Sequence, residues 1–213
     1  MGQEQQAAAA SADRGDGGPV SSNLAKYQTS NPVVQRMISG FFDSLREVVG
    51  PLSPSTVLDA GCGEGETLMR LGDLLGEEVT AVDLEQSCVD LVRARLPDVA
   101  VSRQSVLELG FADHSFDLVL CLEVLEHLPE PARGVAELGR VSARDVVVSV
   151  PYEPWFQLGS LLRGKHLRRA GNHPEHVNHL RRGSLKRLLE PSLDVVEIRV
   201  AFPWLIAHGR VSG

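Results

Sequence analysis

Asp59, Gly61, Gly63 and Gly65 stand at alternate positions in the run Val57-Leu58-Asp59-Ala60-Gly61-Cys62-Gly63-Glu64-Gly65-Glu66-Thr67-Leu68. The run begins apolar, passes three glycines and enters an amphipathic stretch. A strand that turns through glycines into a helix brings bare backbone N–H groups close to a ligand. A carboxylate at the strand's end adds an acceptor for a cationic or hydroxylic group. Asp83 ends the next apolar run, Val79 to Asp83, about twenty residues after the glycines, where an acid can accept from both hydroxyls of a ribose. His127 follows a third apolar run, Phe116 to Leu122, and imidazole is the side chain suited to move a proton near neutral pH.

The rest of the chain must place these groups. Asn31-Pro32 reads as a helix start, with Asn as N-cap and Pro at the first helical position. Val34, Met37, Ile38, Phe41, Leu45 and Val48 recur at helical spacing, and Gly50-Pro51 closes the helix. Thr67 to Leu75, Cys88 to Leu96 and Ala132 to Leu138 are expected helices. Val99–Val101 and Val146–Val150 join the apolar runs above as strands. Near-continuous apolar strands alternating with helices predict an α/β fold, a doubly wound and mostly parallel sheet with helices on both faces. The alternation breaks from Pro151 to Arg182. Ser184 is expected to cap a short helix to Leu189. Val195–Val200 and Trp204–His208 follow as a terminal antiparallel strand pair, because so short a link permits nothing else.

Which ligand the glycine turn takes follows from what it lacks. The dinucleotide fingerprint G-x-G-x-x-G fits Gly61 and Gly63, but its third position is Glu66, too long for close packing and of the wrong charge beside a pyrophosphate. A phosphate-cradling P-loop fails because no Gly-Lys-Ser/Thr follows. Acid-x-Gly-x-Gly-x-Gly does fit. It resembles the signature loop of class I S-adenosylmethionine-dependent methyltransferases, whose ligand carries an ammonium and a sulfonium and no phosphate. Asp83, the block Gln104-Ser105-Val106 with Leu109-Gly110-Phe111 and Ser115-Phe116-Asp117-Leu118, and Glu123-Val124-Leu125-Glu126-His127 are similar to that family at the corresponding places. The resemblance covers roughly residues 56 to 151. It implies a Rossmann-like methyltransferase domain over 23–213: a lid helix at 23–50, a cofactor-binding core at 56–151, an acceptor-side insertion at 152–190 and a strand pair at 194–209.

The resemblance also implies roles. The cofactor would be S-adenosyl-L-methionine. Gly61, Cys62 and Gly63 would line its methionine part, with Asp59 near the ammonium. Asp83 and Leu84 would meet the ribose side, Ser105 and Val106 the adenine, with Glu123 beside the site and Tyr27 in a lid. Ser105 departs from the family, which often has an acid there. His127 is the candidate base, and Tyr152, His176 and His179 are substrate-side candidates. The expected reaction is in-line transfer of a methyl group to an O, N or C nucleophile on a small molecule. The rival readings are a non-catalytic cofactor-binding partner subunit and, disfavoured by Glu66, a nicotinamide-dependent oxidoreductase.

Ordinary readings stand beside these. Asp59 also fits a cap of the glycine turn. Asp117 marks a strand start, and Glu126 fits the favourable charge at a helix N-terminus. His173, His176 and His179 drift around a helix at three-residue spacing, so no metal site is expected. Arg163, Lys165, Arg168, Arg169, Arg181, Arg182, Lys186 and Arg187 gather behind Trp155, Phe156, Leu158, Leu161 and Leu162. A solvated surface explains the cations, and weak contact of 155–187 with an anionic membrane surface is the alternative. Residues 1–22, rich in Gln, Ala, Gly, Ser and Asp, carry too little apolar surface to offset ordering and are expected to be disordered. A net charge of −7 argues against nucleic acid as a partner. Three widely spaced cysteines, no apolar run of membrane-spanning length and no secretory leader pattern predict a cytoplasmic protein.

Overall fold

The computed structural model describes residues 29–152 and 180–211. The expected tail at 1–22, the lid residue Tyr27, His173, His176, His179 and the basic stretch up to residue 179 lie outside the described residues.

Helix α1 (Pro32–Val49) starts where its capping chemistry requires. The Asn31 side-chain oxygen accepts from the N–H groups of Val33 at 3.0 Å and Val34 at 3.4 Å. Its buried stripe is Ile38, Phe41, Phe42, Leu45, Val48 and Val49. The remaining elements are β1 (Thr56–Ala60), α2 (Glu66–Leu71), β2 (Glu78–Asp83), α3 (Gln86–Arg95), β3 (Ala100–Arg103), β4 (Phe116–Leu122), α4 (Pro131–Val141), β5 (Ser142–Pro151), α5 (Arg182–Leu189), β6 (Asp194–Ala201) and β7 (Trp204–Arg210). Two expectations need correction. The helix expected over Thr67–Leu75 stops at Leu71 and tightens into a 3₁₀ turn over Gly72–Leu74, glycine being a poor helix residue. Ser184 is not the N-cap of α5 but its third residue. Its hydroxyl accepts from the Arg181 N–H at 2.7 Å, closing the same first turn from inside the helix.

The seven strands run in the order β3-β2-β1-β4-β5-β7-β6. The pairs β1–β2, β2–β3, β1–β4 and β4–β5 are parallel, while β7 is antiparallel to both β5 and β6. The chain thus begins in mid-sheet, builds outward through β2 and β3, then returns to the other side of β1. That reversal leaves a crevice beyond the carboxyl ends of β1 and β4, where open α/β sheets take their ligands.

Both faces are covered, as the apolar strand sequences require. On one side Leu58, Ala60, Val146, Val148 and Val150 pack with Leu138 of α4 and Leu185 and Leu189 of α5. On the other, Val57, Leu118, Leu120 and Val147 pack with Phe41 and Leu45 of α1 and Leu71 of α2. Leu45, Leu58, Leu71 and Leu138 are fully buried, each contributing about 1.5–3 kcal/mol of transfer free energy. Two tethers align the edges that carry no ligand loops. Asp117 does mark the strand start, and its Oδ2 also accepts from the N–H groups of Ser55 at 2.8 Å and Thr56 at 3.3 Å. Asp145 of β5 meets the His208 Nε2 of β7 at 2.7 Å, both side chains buried. No helix among the described residues is long and apolar enough to cross a membrane.

Candidate functional site

The glycine turn leaves β1 and crosses the end of β2. The N–H groups of Gly61 and Cys62 both donate to the Val82 carbonyl, at 2.8 and 3.0 Å. Gly61 has φ +88°, and a Cβ there would lie 2.4 Å from a methyl of Val124 in the loop after β4. Its glycine is therefore required twice, by the left-handed backbone and by the neighbouring loop. Gly63, at φ +50°, differs, since a Cβ there would meet nothing within 4 Å. Its bare backbone faces open space, a cradle for a ligand rather than a packing contact.

Asp59 lies under this turn. It is 1% exposed, and its Oδ2 has no hydrogen-bond partner among the described residues. Burial, and then the nearby charge of Asp83, push its carboxyl up to about 7. A buried carboxylate without a partner is costly, and a cation arriving at Oδ2 would offset that cost. Asp83, half-buried at the end of β2, is already engaged. Its Oδ2 accepts from the Gly63 N–H at 2.8 Å and its Oδ1 from the Glu85 N–H at 2.9 Å. It braces the glycine turn, and each carboxylate oxygen keeps a second lone pair for a hydroxyl. Leu84 beside it is 58% exposed and offers an apolar face at the same place. Cys62 is buried, and burial raises its thiol far above the ordinary value, so it packs rather than reacts.

Glu66 behaves differently from expectation. It forms ion pairs with Arg70 at 3.1 Å and Arg95 at 4.0 Å, so its charge is compensated within the helices. Its size still separates this turn from a dinucleotide fingerprint; its charge does so less.

Ser105 and Val106 follow β3, in a loop braced by Gln104. The Gln104 N–H donates to the Asp83 carbonyl at 3.0 Å, and its side-chain oxygen accepts from Gly110 at 2.8 Å. The Ser105 hydroxyl accepts from the Leu107 N–H at 3.2 Å, a local turn role. The Val106 side chain belongs to the core. Beyond β4, Glu123 adopts φ +60°, rare for a residue with a side chain, and donates its N–H to the Ser149 carbonyl at 3.0 Å. His127 is exposed on the turn that follows, its N–H bonded to the Val124 carbonyl at 2.9 Å. Glu126 corrects another expectation: it is 2% exposed within that turn, five residues before α4 begins, and so does not serve a helix N-terminus. Tyr152 is half-buried just past β5, its N–H donating to the Pro203 carbonyl at 2.8 Å.

The carboxyl edge thus gathers Asp59, Gly61, Cys62, Gly63, Asp83, Leu84, Ser105, Val106, Glu123, His127 and Tyr152. His176, His179 and Tyr27 lie outside the described residues. The sequence reading overlooked Val124, which sets the height of the turn, Gln104, which braces the neighbouring loop, and Ser149, whose fully buried hydroxyl has no partner among the described residues. A lone serine within the run Val146–Val150 was the available signal for the last.

Chemically, the arrangement offers a buried carboxyl at Asp59, a bare-backbone turn and a second acid, Asp83, at hydroxyl reach. Comparison with known proteins agrees. Residues 58–150 match the family described as methyltransferase domain. A probable S-adenosylmethionine-dependent methyltransferase of Mycobacterium tuberculosis is 38% identical over 105 residues, 48% of this chain and 38% of that protein. A ubiquinone biosynthesis O-methyltransferase of Alkalilimnicola ehrlichii is 35% identical over 107 residues, 46% of this chain and 42% of that one. The chain spans about half or less of the length of these curated relatives. Among solved structures, magnesium protoporphyrin IX methyltransferase of Synechocystis superposes with a TM-score of 0.65 at 20% identity, covering 88% of this chain and 91% of that one. Turn, strand order and matched sequence agree: residues 58–150 of this chain are similar to the methyltransferase domain family and to S-adenosylmethionine-dependent methyltransferases.

Proposed function

We propose that this chain transfers a methyl group from S-adenosylmethionine to a small-molecule acceptor. The observation that carries the reading is the buried Oδ2 of Asp59, which lies beneath the glycine turn and has no hydrogen-bond partner among the described residues. When bound, the cofactor supplies a methyl group on a positively charged sulfur, open to displacement by a nucleophile. Asp59 would hold the cofactor's cationic amino group. The Gly61–Gly63 backbone would admit its amino-acid part, and Asp83 would accept from ribose hydroxyls with the lone pairs its backbone bonds leave free. Leu84 and the Val106 backbone would flank the base. The crevice would align donor and acceptor and exclude water, and such positioning is worth up to about 7–11 kcal/mol in favourable cases.

His127 is the proton acceptor of this proposal where the acceptor atom is a hydroxyl, since phenol-like groups hold their proton to a pKa of about 10. The similarity to ubiquinone biosynthesis O-methyltransferases supports an oxygen nucleophile on a small molecule. The test has two parts. Calorimetry with S-adenosylmethionine is expected to give binding that Asp83→Ala weakens at least tenfold; equal affinity in the variant would overturn this assignment of the site. Transfer of a tritiated methyl group into a cell extract is expected to label the small-molecule fraction. Label in macromolecules would refute a small acceptor. Intact cofactor binding with no label anywhere would favour a non-catalytic subunit.

A further inference from the structure

A groove of about 370 Å³ lies away from the glycine turn, between α1 and the end of β6. Its walls are Val33 and Met37 of α1 and Val200 and Phe202 at the β6–β7 turn, with Gly40 in its floor and Arg36 at its side. The volume is at the low end of ligand pockets, and the groove is open to solvent rather than enclosed. Val33 and Val200 are 66% and 47% exposed, an apolar pair left largely in water.

The strand order fixes which way this groove opens. β7 is antiparallel to both β5 and β6, so β6 runs parallel to β5 and ends on the edge where β1, β2 and β4 end. Val33 and Arg36, in the first turn and a half of α1, line the groove together with Val200 and Phe202 at the end of β6, which places the start of α1 at that same edge. The Tyr152 N–H to Pro203 carbonyl bond joins the end of β5 to the turn carrying Phe202. The groove and the glycine turn therefore share one rim of the sheet, on either side of the β4 and β5 ends.

Gly40 is the telling residue. It lies mid-helix, where glycine disfavours the fold relative to alanine, and a Cβ there would meet nothing within 4 Å. Neither backbone angle nor crowding requires it; its effect is to keep the groove floor low. The Ser44 hydroxyl donates to the Gly40 carbonyl at 2.9 Å, a bond of the kind that bends helices at this point. Arg36 adds a charge: among the described residues its guanidinium meets no carboxylate, in a chain whose net charge is −7.

We propose that this groove holds the hydrocarbon tail of the methyl acceptor, with Arg36 against an anionic group on it, so that the acceptor is an amphiphile rather than a wholly polar metabolite. The proposal rests on the methyl-transfer reading above and names its substrate class.

The test uses the full chain and n-alkyl carboxylates of six to sixteen carbons, below their micelle concentrations, with calorimetry as readout. Affinity is expected to rise about fourfold per added methylene until the groove is filled, then level off. Gly40→Leu is expected to weaken dodecanoate at least tenfold while leaving the S-adenosylmethionine affinity unchanged and the melting temperature no lower. Val33→Asp, on an exposed first helical turn that tolerates an acid, gives a second variant with the same expectation. Arg36→Gln should weaken dodecanoate and leave dodecanol unaffected. Affinity that ignores chain length, or dodecanoate bound equally well by both groove variants, overturns the proposal. So does a loss of binding to anionic phospholipid vesicles in Gly40→Leu with dodecanoate unaffected, because the groove would then serve a bilayer. Cofactor affinity is measured separately, so its failure counts against the methyl-transfer reading and failure of the alkyl series counts against the tail site.

Discussion

Asp59 couples stability and binding to pH in opposite directions. Its carboxyl lies at about 7 in the fold, against about 3.9 in an unfolded chain. Between those values the folded state keeps a proton that the unfolded state has lost. Stability therefore falls as pH rises from about 4 through 7, then levels off. Asp59→Asn removes this titration. It is expected to be more stable than the parent at pH 8, by no more than about 4 kcal/mol, and to lose that advantage near pH 4; urea denaturation at several pH values checks it. Affinity for a cationic cofactor should run the other way, rising from pH 6 to 8 as Asp59 ionises, and the asparagine variant should lose that rise. At this scale the sequence was informative where the chemistry is local. Acid and glycine spacing along one turn is written in consecutive residues, and Asp59, Gly61, Gly63 and Asp83 do come together. The contact of Gly61 with Val124 and the left-handed backbone of Glu123 were not legible, because they exist only once β4 lies beside β1.

Helix α4 and the loop after β3 form one unit through Arg140. Its guanidinium donates to the carbonyls of Leu109 and Phe111 and to the carboxylates of Glu137 and Asp113, at 2.8 to 2.9 Å. Glu137 in turn accepts from the Leu109 N–H at 3.0 Å. The paired arginine holds the Glu137 carboxyl below the usual carboxylate range, against the opposing effect of burial. Arg140→Ala is expected to cost roughly 1–3 kcal/mol in chemical denaturation and to speed amide exchange across residues 104–113. Arg140→Lys should recover only part of this, since an ammonium lacks the planar fork that reaches both carbonyls and carboxylates. Element boundaries were legible where a cap is local, as at Asn31-Pro32. They were missed where a later residue completes the turn, as with Ser184, or where a glycine loosens a continuing pattern, as at Gly72. The antiparallel end pair followed from its short link, but its insertion beside β5 rests on contacts far apart in sequence.

Across the whole molecule, depth in the sheet should order local stability. β1, β4 and β5 are paired on both sides and almost wholly buried, whereas β3 is four residues long with exposed ends and β6 has exposed Val196 and Val200 on an outer edge. Hydrogen exchange is expected to be slowest in β4 and β5 and fastest in β3 and the outward-facing amides of β6. Equal protection in β3 and β4 would contradict this ordering. The insertion of β7 has a consequence for biosynthesis. β6 has no neighbour except β7, and β5 has none on that side until β7 arrives. A chain emerging from the ribosome must therefore hold β6 unpaired, with the flank of β5 open, until residue 210 has cleared the exit tunnel. The half that carries the glycine turn, β1 to β4, can assemble while those strands wait.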